Sequence, residues 1–357
     1  MNTSVSIILT CYNLEAYIAE AIESVFQQTE KCIQLIIIDD CSIDSSPNII
    51  ERYYKIMAVN KSIEINYIKN EKNLGVMLST LKALSLCKND IILFLDGDDI
   101  WHNTKVESVV KKFDDESTVF VTHDVSYIDA NSKKIRIQRP KSVQQLNNLT
   151  SKKSAKEISD IIRKGIVYHK DYVWLGSAFG INKSKIYLSE YIRLCLNFPK
   201  IELCYQDWPL AVWVACISSE THKFAYIPDC LMLYRLHSCN YSSDTTTLDK
   251  LTRNLYKSYY TARLIRKIVF KLSDNKSHKK SADILVRYSN YRIKTLKLQR
   301  IELIKYLLKN ILLIISFPNS IKEITRLVLL FLFGADFLNT IKNLINKYIG
   351  TLLFSGR

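Results

Sequence analysis

The segment Ile91-Ile-Leu-Phe-Leu-Asp-Gly-Asp-Asp99 holds five apolar residues in a row, followed by three carboxylates in four positions. A run this short and this apolar, closed by a turn, reads as a strand buried on both faces, the kind that builds parallel sheets. Its polar closure matters as much, because open α/β sheets bind ligands beyond the carboxyl ends of their strands. Two earlier runs close in the same way, the first in Thr10-Cys-Tyr-Asn13 and the second in Asp39-Asp-Cys-Ser42.

Working outward, strands are expected at about 5–10, 34–39, 64–69, 90–95 and 118–124. Between them Glu15–Gln28, Ser46–Ala58, Val76–Cys87 and Thr104–Phe113 carry apolar positions at three- and four-residue steps, so each helix can cover a sheet face. The alternation predicts an α/β fold, Rossmann-like and doubly wound, with a mainly parallel sheet flanked by helices. The polar stretch Asn131–Lys153 reads as a surface loop or hairpin, and acceptor selection is expected within 131–205. Order returns at Trp174–Ile181, in a helix over Asp207–Ser218 and in a strand over Phe224–Tyr234. The polar run His237–Thr247 marks a boundary between an α/β domain, 1–245, and an α-helical module, 246–357.

Charge divides at nearly the same place. Residues 251–357 hold 21 Lys and Arg against 5 Asp and Glu, a net of +16 that leaves −1 for the first 250 residues of a chain carrying +15. The basic residues share helices with apolar clusters such as Ile311–Phe317 and Leu327–Phe333, neither long enough to cross a bilayer. Three readings stand for this module: helices lying on an anionic membrane surface, a solvated helical bundle, or a nucleic-acid patch. The first suits amphipathic basic helices, and the last lacks a recognisable module, so no nucleic acid is expected. Nine cysteines without a CxxC pair read as reduced, buried thiols of a cytoplasmic protein. Met1–Ser4 runs straight into the first strand, so no leader is expected.

The chemistry sits in the strand ends. Asp96 and Asp98 are spaced so that both carboxylates can approach one hard cation, Mn²⁺ or Mg²⁺, of the kind that substrate phosphates complete. The same residues also suit an acidic turn capping the next helix. Asp39 and Asp40 can accept hydrogen bonds from a base or ribose, or form a helix-capping turn with Ser42 and Asp44. Asp207 is a candidate general base, or an N-cap before Trp208-Pro209. No Gly-x-Gly-x-x-Gly follows the first strand and no Walker-type loop occurs, which removes support from dehydrogenase and NTPase readings.

Taken together, the chain resembles the family 2 inverting glycosyltransferases of the GT-A fold. The likeness rests on Val5-Ser-Ile-Ile-Leu-Thr-Cys-Tyr-Asn13, Ile36-Ile-Ile-Asp-Asp-Cys-Ser-Ile-Asp44, Asn73-Leu-Gly75 and Phe94-Leu-Asp-Gly-Asp-Asp-Ile-Trp101. Gln206-Asp-Trp-Pro209 is similar to the family's Glu-Asp-Trp element, with Gln206 in place of Glu, and Tyr234-Arg-Leu-His-Ser238 to its Tyr-Arg-x-His element. The resemblance implies a nucleotide-sugar donor, a UDP-sugar, held at its nucleotide by Thr10, Tyr12, Asp39, Asp40, Asn73 and Asp96. It implies a metal on Asp98 and His237, and Asp207 as the base that accepts the acceptor proton. The acceptor would be a bacterial surface glycan, lipid-linked or free, and the place of action the cytoplasmic face of the inner membrane, with peripheral attachment. A second reading is a catalytically inactive sugar-nucleotide-binding subunit of a glycan assembly complex, for which Gln206 is the hint.

Overall fold

A computed structural model describes residues 5–30, 33–57, 63–135, 141–170, 173, 175–237 and 248–297. In chain order the elements are β1 (Val5–Cys11), α1 (Ile18–Phe26), β2 (Ile33–Asp39), α2 (Ser46–Met57), β3 (Ile63–Lys69), α3 (Val76–Leu84), β4 (Ile91–Asp96), β5 (Ile100–Trp101), α4 (Lys105–Phe113), β6 (Thr118–Ile128), β7 (Lys134–Ile135), α5 (Lys141–Thr150), α6 (Ala155–Val167), β8 (Phe179–Asn182), α7 (Leu188–Leu196), α8 (Asp207–Ile217), β9 (Lys223–Arg235), α9 (Leu248–Leu272) and α10 (Lys276–Lys297). Short 3-10 turns occupy 176–178, 183–185 and 201–203.

The strands form one sheet in the order β3-β2-β1-β4-β8-β6-β9-β5, with β7 beside β6. The first four are parallel, as are β6 and β9, while β8 runs antiparallel to both β4 and β6. The sheet is thus mixed and mostly parallel. Chain order reverses where β1 lies between β2 and β4, which is the switch point at which α/β sheets open a crevice.

Alternation along the central strands sends side chains to two cores. Ile8, Ile36, Ile38, Ile92 and Phe94 join one buried cluster, and Ile7, Leu9, Leu35, Ile37, Leu93 and Leu95 join the other. Residues of α1 and α4, with Ile50 of α2, cover the second face. The first face is covered from α3, α6 and α8, and also from α9, whose Leu264, Ile265, Ile268 and Val269 are buried in the same cluster as Trp213 of α8. Among the described residues no helix is long and apolar enough to cross a membrane. Ile311–Phe317 and Leu327–Phe333 lie outside the described residues, as does Trp174.

Two expectations are corrected. In 131–153 the hairpin alternative is met by β7, which pairs antiparallel with β6, but the stretch also contains the helix α5, with Leu146 buried and Thr150 Oγ1 donating to the Leu146 carbonyl at 2.8 Å. Order also returns before 174, in α6. There Ser154 and Glu157 form a reciprocal capping box ahead of Ile158, Ile161, Ile162 and Ile166, which recur about once per turn on one face.

Because α9 shares a core with the sheet, the two should lose structure together. Ile268→Ala removes a fully buried side chain and should lower stability by about 2–5 kcal/mol. In urea titrations, far-UV circular dichroism and tryptophan emission should then shift to a common lower midpoint. A shift confined to the helical signal would contradict the shared core.

Candidate active site

The site is assembled by register. Pairing of β1 with β2 sets Cys11 opposite Asp39, and pairing with β4 sets Thr10 opposite Asp96. The Thr10 hydroxyl donates to Asp96 Oδ1 at 3.2 Å. Beyond the strands, Asn13 and Cys41 turn through the left-handed region with φ of 53° and 65°. The two loops are laced together: Asn13 N–H donates to Ser42 Oγ and Ile43 N–H to Asn13 Oδ1, both at 2.9 Å. Asp44 accepts from Ser46 N–H with one oxygen and from Glu15 N–H with the other, so the capping turn weighed from the sequence exists and also clips loop to loop.

Asp40 organises a third loop. Its Oδ1 accepts from Asn70 Nδ2, Leu74 N–H and Ser79 Oγ, and its Oδ2 from Gly75 N–H at 2.8 Å. Gly75 has a φ of +84°, and a Cβ there would come 2.6 Å from the Glu202 carbonyl oxygen. The Asn73-Leu-Gly75 loop therefore presses backbone to backbone on the turn that leads toward Asp207, a contact only glycine allows.

The turn after β4 is built on buried charge. Gly97 N–H donates to the Thr10 carbonyl at 2.9 Å, closing the turn against β1. Asp98 is 17% exposed, and its Oδ2 lies 3.0 Å from His237 Nε2. Below it, Asp99 Oδ1 accepts from Arg235 N–H at 3.1 Å, and its Oδ2 has no hydrogen-bond partner among the described residues. The fully buried Arg235 donates through Nε to the Asp98 carbonyl at 2.8 Å, through Nη1 to Ser132 Oγ at 2.8 Å and through Nη2 to Glu20 at 3.2 Å, with its guanidinium over the Tyr17 ring. Lys105, equally buried, donates to the Ser177 carbonyl at 2.5 Å and lies over the Trp101 ring.

Burial and the crowding of like charge act on this turn. Burial, then the charges of Asp98 and Asp207, push the Asp96 carboxyl up to about 7, against hydrogen bonds from Thr10 and Ser177. Asp99 is raised well above the ordinary carboxylate range by burial first and by Asp98 and Asp96 next. Burial lowers the Lys105 ammonium, and the charges of Asp99 and Asp96 oppose that.

Asp207 opens α8, one residue inside the Gln206 N-cap, and its Oδ1 accepts from Trp208 N–H at 2.8 Å. Burial raises its pKa, while backbone N–H groups including those of Trp208 and Gly176 restrain the rise. Thr10, Tyr12, Asp40, Asn73, Asp96, Asp98 and Asp207 all line one cleft of about 1240 Å³. His237 reaches it through Asp98. Asp39 lies beneath, fully buried, with Oδ1 accepting from Ser42 N–H at 3.0 Å. Among the described residues no three metal-ligating side chains converge. The pair Asp98 and His237 therefore fits a hard cation only where substrate oxygens and water complete its shell, which is the usual state of Mg²⁺ at phosphate sites.

Arg235, Lys105 and Ser177 were not singled out from sequence. A signal existed for two of them: Arg235 closes the run Leu231-Met-Leu-Tyr234 at the end of β9, and Lys105 stands in the first turn of a helix, where the macrodipole disfavours a cation.

Known proteins agree with this architecture. Residues 6–175 match the Glycosyl transferase family 2 model. The UDP-Glc:alpha-D-GlcNAc-diphosphoundecaprenol beta-1,3-glucosyltransferase WfaP of Escherichia coli is 35% identical over 125 residues, covering 35% of this chain and 47% of that protein. The chain spans 44% and 39% of two other curated relatives, so such matches cover less than half of those proteins. Among solved structures, Staphylococcus aureus TarS residues 1–349 with UDP-GlcNAc superposes with a TM-score of 0.55 at 17% identity, covering 81% of this chain and 72% of that one. The mannosyltransferase PcManGT of Pyrobaculum calidifontis, solved with GDP-Man and Mn²⁺, gives 0.52 at 12% identity over 99% and 88%.

Arg235 is the testable node. Arg235→Ala removes the donor to the Asp98 carbonyl and to Ser132 Oγ and the cation beside Glu20, which keeps the Ser132 hydroxyl, and should cost about 1.5–3 kcal/mol. Arg235→Lys, lacking the fork, should recover less than half of it in urea titrations. A loss under about 1 kcal/mol would remove Arg235 from the framework of the turn.

The chain carries the GT-A fold, and its residues 6–175 match the model of glycosyl transferase family 2.

Proposed function

We propose that this protein transfers a sugar, with inversion, from a nucleotide-sugar donor, a UDP-sugar, to a hydroxyl of a bacterial surface glycan built on a lipid carrier. The observation that carries the reading is a single cleft that brings Asp207 together with the strand termini of β1, β2 and β4. Thr10, Tyr12, Asp40, Asn73 and Asp96 would hold the nucleotide there, with Asp39 beneath as their support. The lipid-linked acceptor is suggested by WfaP, whose name specifies a diphosphoundecaprenol-linked sugar.

The chemistry asks little of the chain. A sugar hydroxyl is a weak nucleophile near neutrality, so a carboxylate within reach must accept its proton as the new C1–O bond forms. Asp207 takes that proton, the old C1–O bond to phosphate breaks, and the nucleoside diphosphate departs with the electron pair. A single displacement inverts the anomeric centre without a nucleophilic side chain. Asp98 and His237 would hold a divalent cation, Mn²⁺ or Mg²⁺, which when bound offsets charge on the leaving diphosphate.

The 246–357 module is proposed to hold the enzyme peripherally at the anionic cytoplasmic face of the inner membrane, for which its +16 over 251–357 is the support. The proposed division at 245 is then one of charge, because α9 packs on the core of the first domain and lines its cleft.

Donor hydrolysis by the purified protein separates an active transferase from an inactive binding subunit. Asp207→Asn should leave UDP-sugar affinity nearly unchanged and slow transfer by about 10²–10⁴-fold. Because burial raises the pKa of Asp207, and a base works only when deprotonated, activity should fall with acid on a limb lying above the ordinary carboxylate value of about 4. Equal loss of binding and turnover would make Asp207 structural. Asp98→Ala should abolish the tightening of UDP by Mn²⁺ in titration calorimetry. Wild-type protein that binds UDP equally well in chelator would end the metal role.

A further inference from the structure

Helix α9 turns a row of cations toward the cleft. Lys250, Arg253, Asn254 and Lys257 stand at i, i+3, i+4 and i+7, the spacing of one helix face, and all four line the cleft that contains Asp207. Four residues further along that face, Thr261 Oγ1 accepts the Tyr205 N–H at 2.9 Å. The cationic face is thereby fixed against the segment that runs through Tyr205 and Gln206 into Asp207. None of these helix residues falls within the 6–175 span matched by the family model.

Lys257 is only 5% exposed. Burial first, and the charge of Arg253 next, push its ammonium down to about 8. An anion brought to a lysine that stands beside a like charge favours the charged ammonium. Glu202 also lines the cleft, and it faces Lys200 at 3.9 Å.

The donor diphosphate does not account for the row. On the reading given above, which this inference rests on, that group is met at the β4 turn by Asp98 and His237. Asp207 stands next to both groups of residues: its charge acts on Asp96, and its near neighbour Tyr205 is held by α9. An anion bound beyond Asp207 belongs to the molecule whose hydroxyl Asp207 deprotonates. Two ammonium groups and a guanidinium within two helical turns match the charge and the several oxygens of a phosphate better than a single carboxylate. We propose that Lys250, Arg253 and Lys257 form a phosphate site for the acceptor, so that the enzyme glycosylates an acceptor bearing a phosphate ester or diphosphate.

Titration of full-length, metal-stripped protein with inorganic pyrophosphate reads the cationic face without any metal contact, and UDP with Mn²⁺ reads the donor end. The combined Lys250→Gln, Arg253→Gln and Lys257→Gln variant should bind pyrophosphate at least about tenfold more weakly while UDP with Mn²⁺ stays within about twofold. Should that variant fail to fold, Lys250→Gln alone, at an exposed position, should give a loss of about threefold. Unchanged pyrophosphate affinity overturns the proposal. So does malonate binding as tightly as pyrophosphate, which makes the site a carboxylate site, and so does UDP affinity falling in step, which gives the cations to the donor. In transfer assays a phosphate-bearing glycan should be preferred over its dephosphorylated form by about tenfold in kcat/KM, mainly through KM. Equal use of the two forms overturns the acceptor assignment. Pyrophosphate binding needs no turnover, so a protein that binds it as stated but transfers nothing tells against the transferase reading and not against the site.

Discussion

Everything at the candidate site hangs on the parallel pairing of β1 with both β2 and β4. Because the three strands stop in register, the first polar residues of each emerge side by side at one edge, with Thr10 beside Asp96 and Cys11 beside Asp39. A slip of one residue would turn every side chain to the opposite face, burying Asp96 in hydrocarbon and breaking both cores. The apolar strand interiors, split between two clusters on the two faces, are what forbid that slip. Packing energy thus sets the position of the carboxylates.

The second constraint is electrostatic. Asp96, Asp98 and Asp99 crowd a single turn, and the protein answers with two cations taken fully out of water, Arg235 from β9 and Lys105 from α4. Arg235 is the more connected, joining the turn to Glu20 of α1 and to Ser132 beyond β6. Its donors reach backbone and side-chain oxygens around the turn, and the Asp98 carboxylate faces His237 and the cleft. A carboxylate proposed to share a cation with substrate oxygens gains from that support, because Arg235 and the Gly97 N–H together hold the main chain of the turn.

Much of this was legible in the sequence where local pattern and tertiary demand agree. β1, β2 and β4 were readable because their interiors are apolar apart from Ser6, Thr10 and Gln34, and the endings of β2 and β4 were readable because a carboxylate after such a run has few structural reasons to be there. β5 and β8 were not, since two to four residues carry no period. α5 was missed because its segment is rich in Gln and Asn, and its buried anchor Leu146 stands nearly alone. α6 was missed despite a complete capping box. The burial of Arg235 and Lys105 was invisible, because a sequence does not show which charges the fold will dehydrate. The cations of α9 were counted as part of the basic tail. Only docking through Leu264, Ile265 and Ile268 brings them to a cleft built by residues some two hundred positions earlier.

The meeting of Gly75 with the carbonyl of Glu202 bears on how such a chain can change over generations. The contact is made by backbone on both sides, so the side chain at 202 can drift without opening a gap. Residue 75 has no such freedom, because any larger side chain meets both a left-handed backbone and an oxygen at 2.6 Å. The half of the molecule that follows this seam can therefore accumulate substitutions suited to new acceptors, as long as its main chain returns to the same place beneath the glycine.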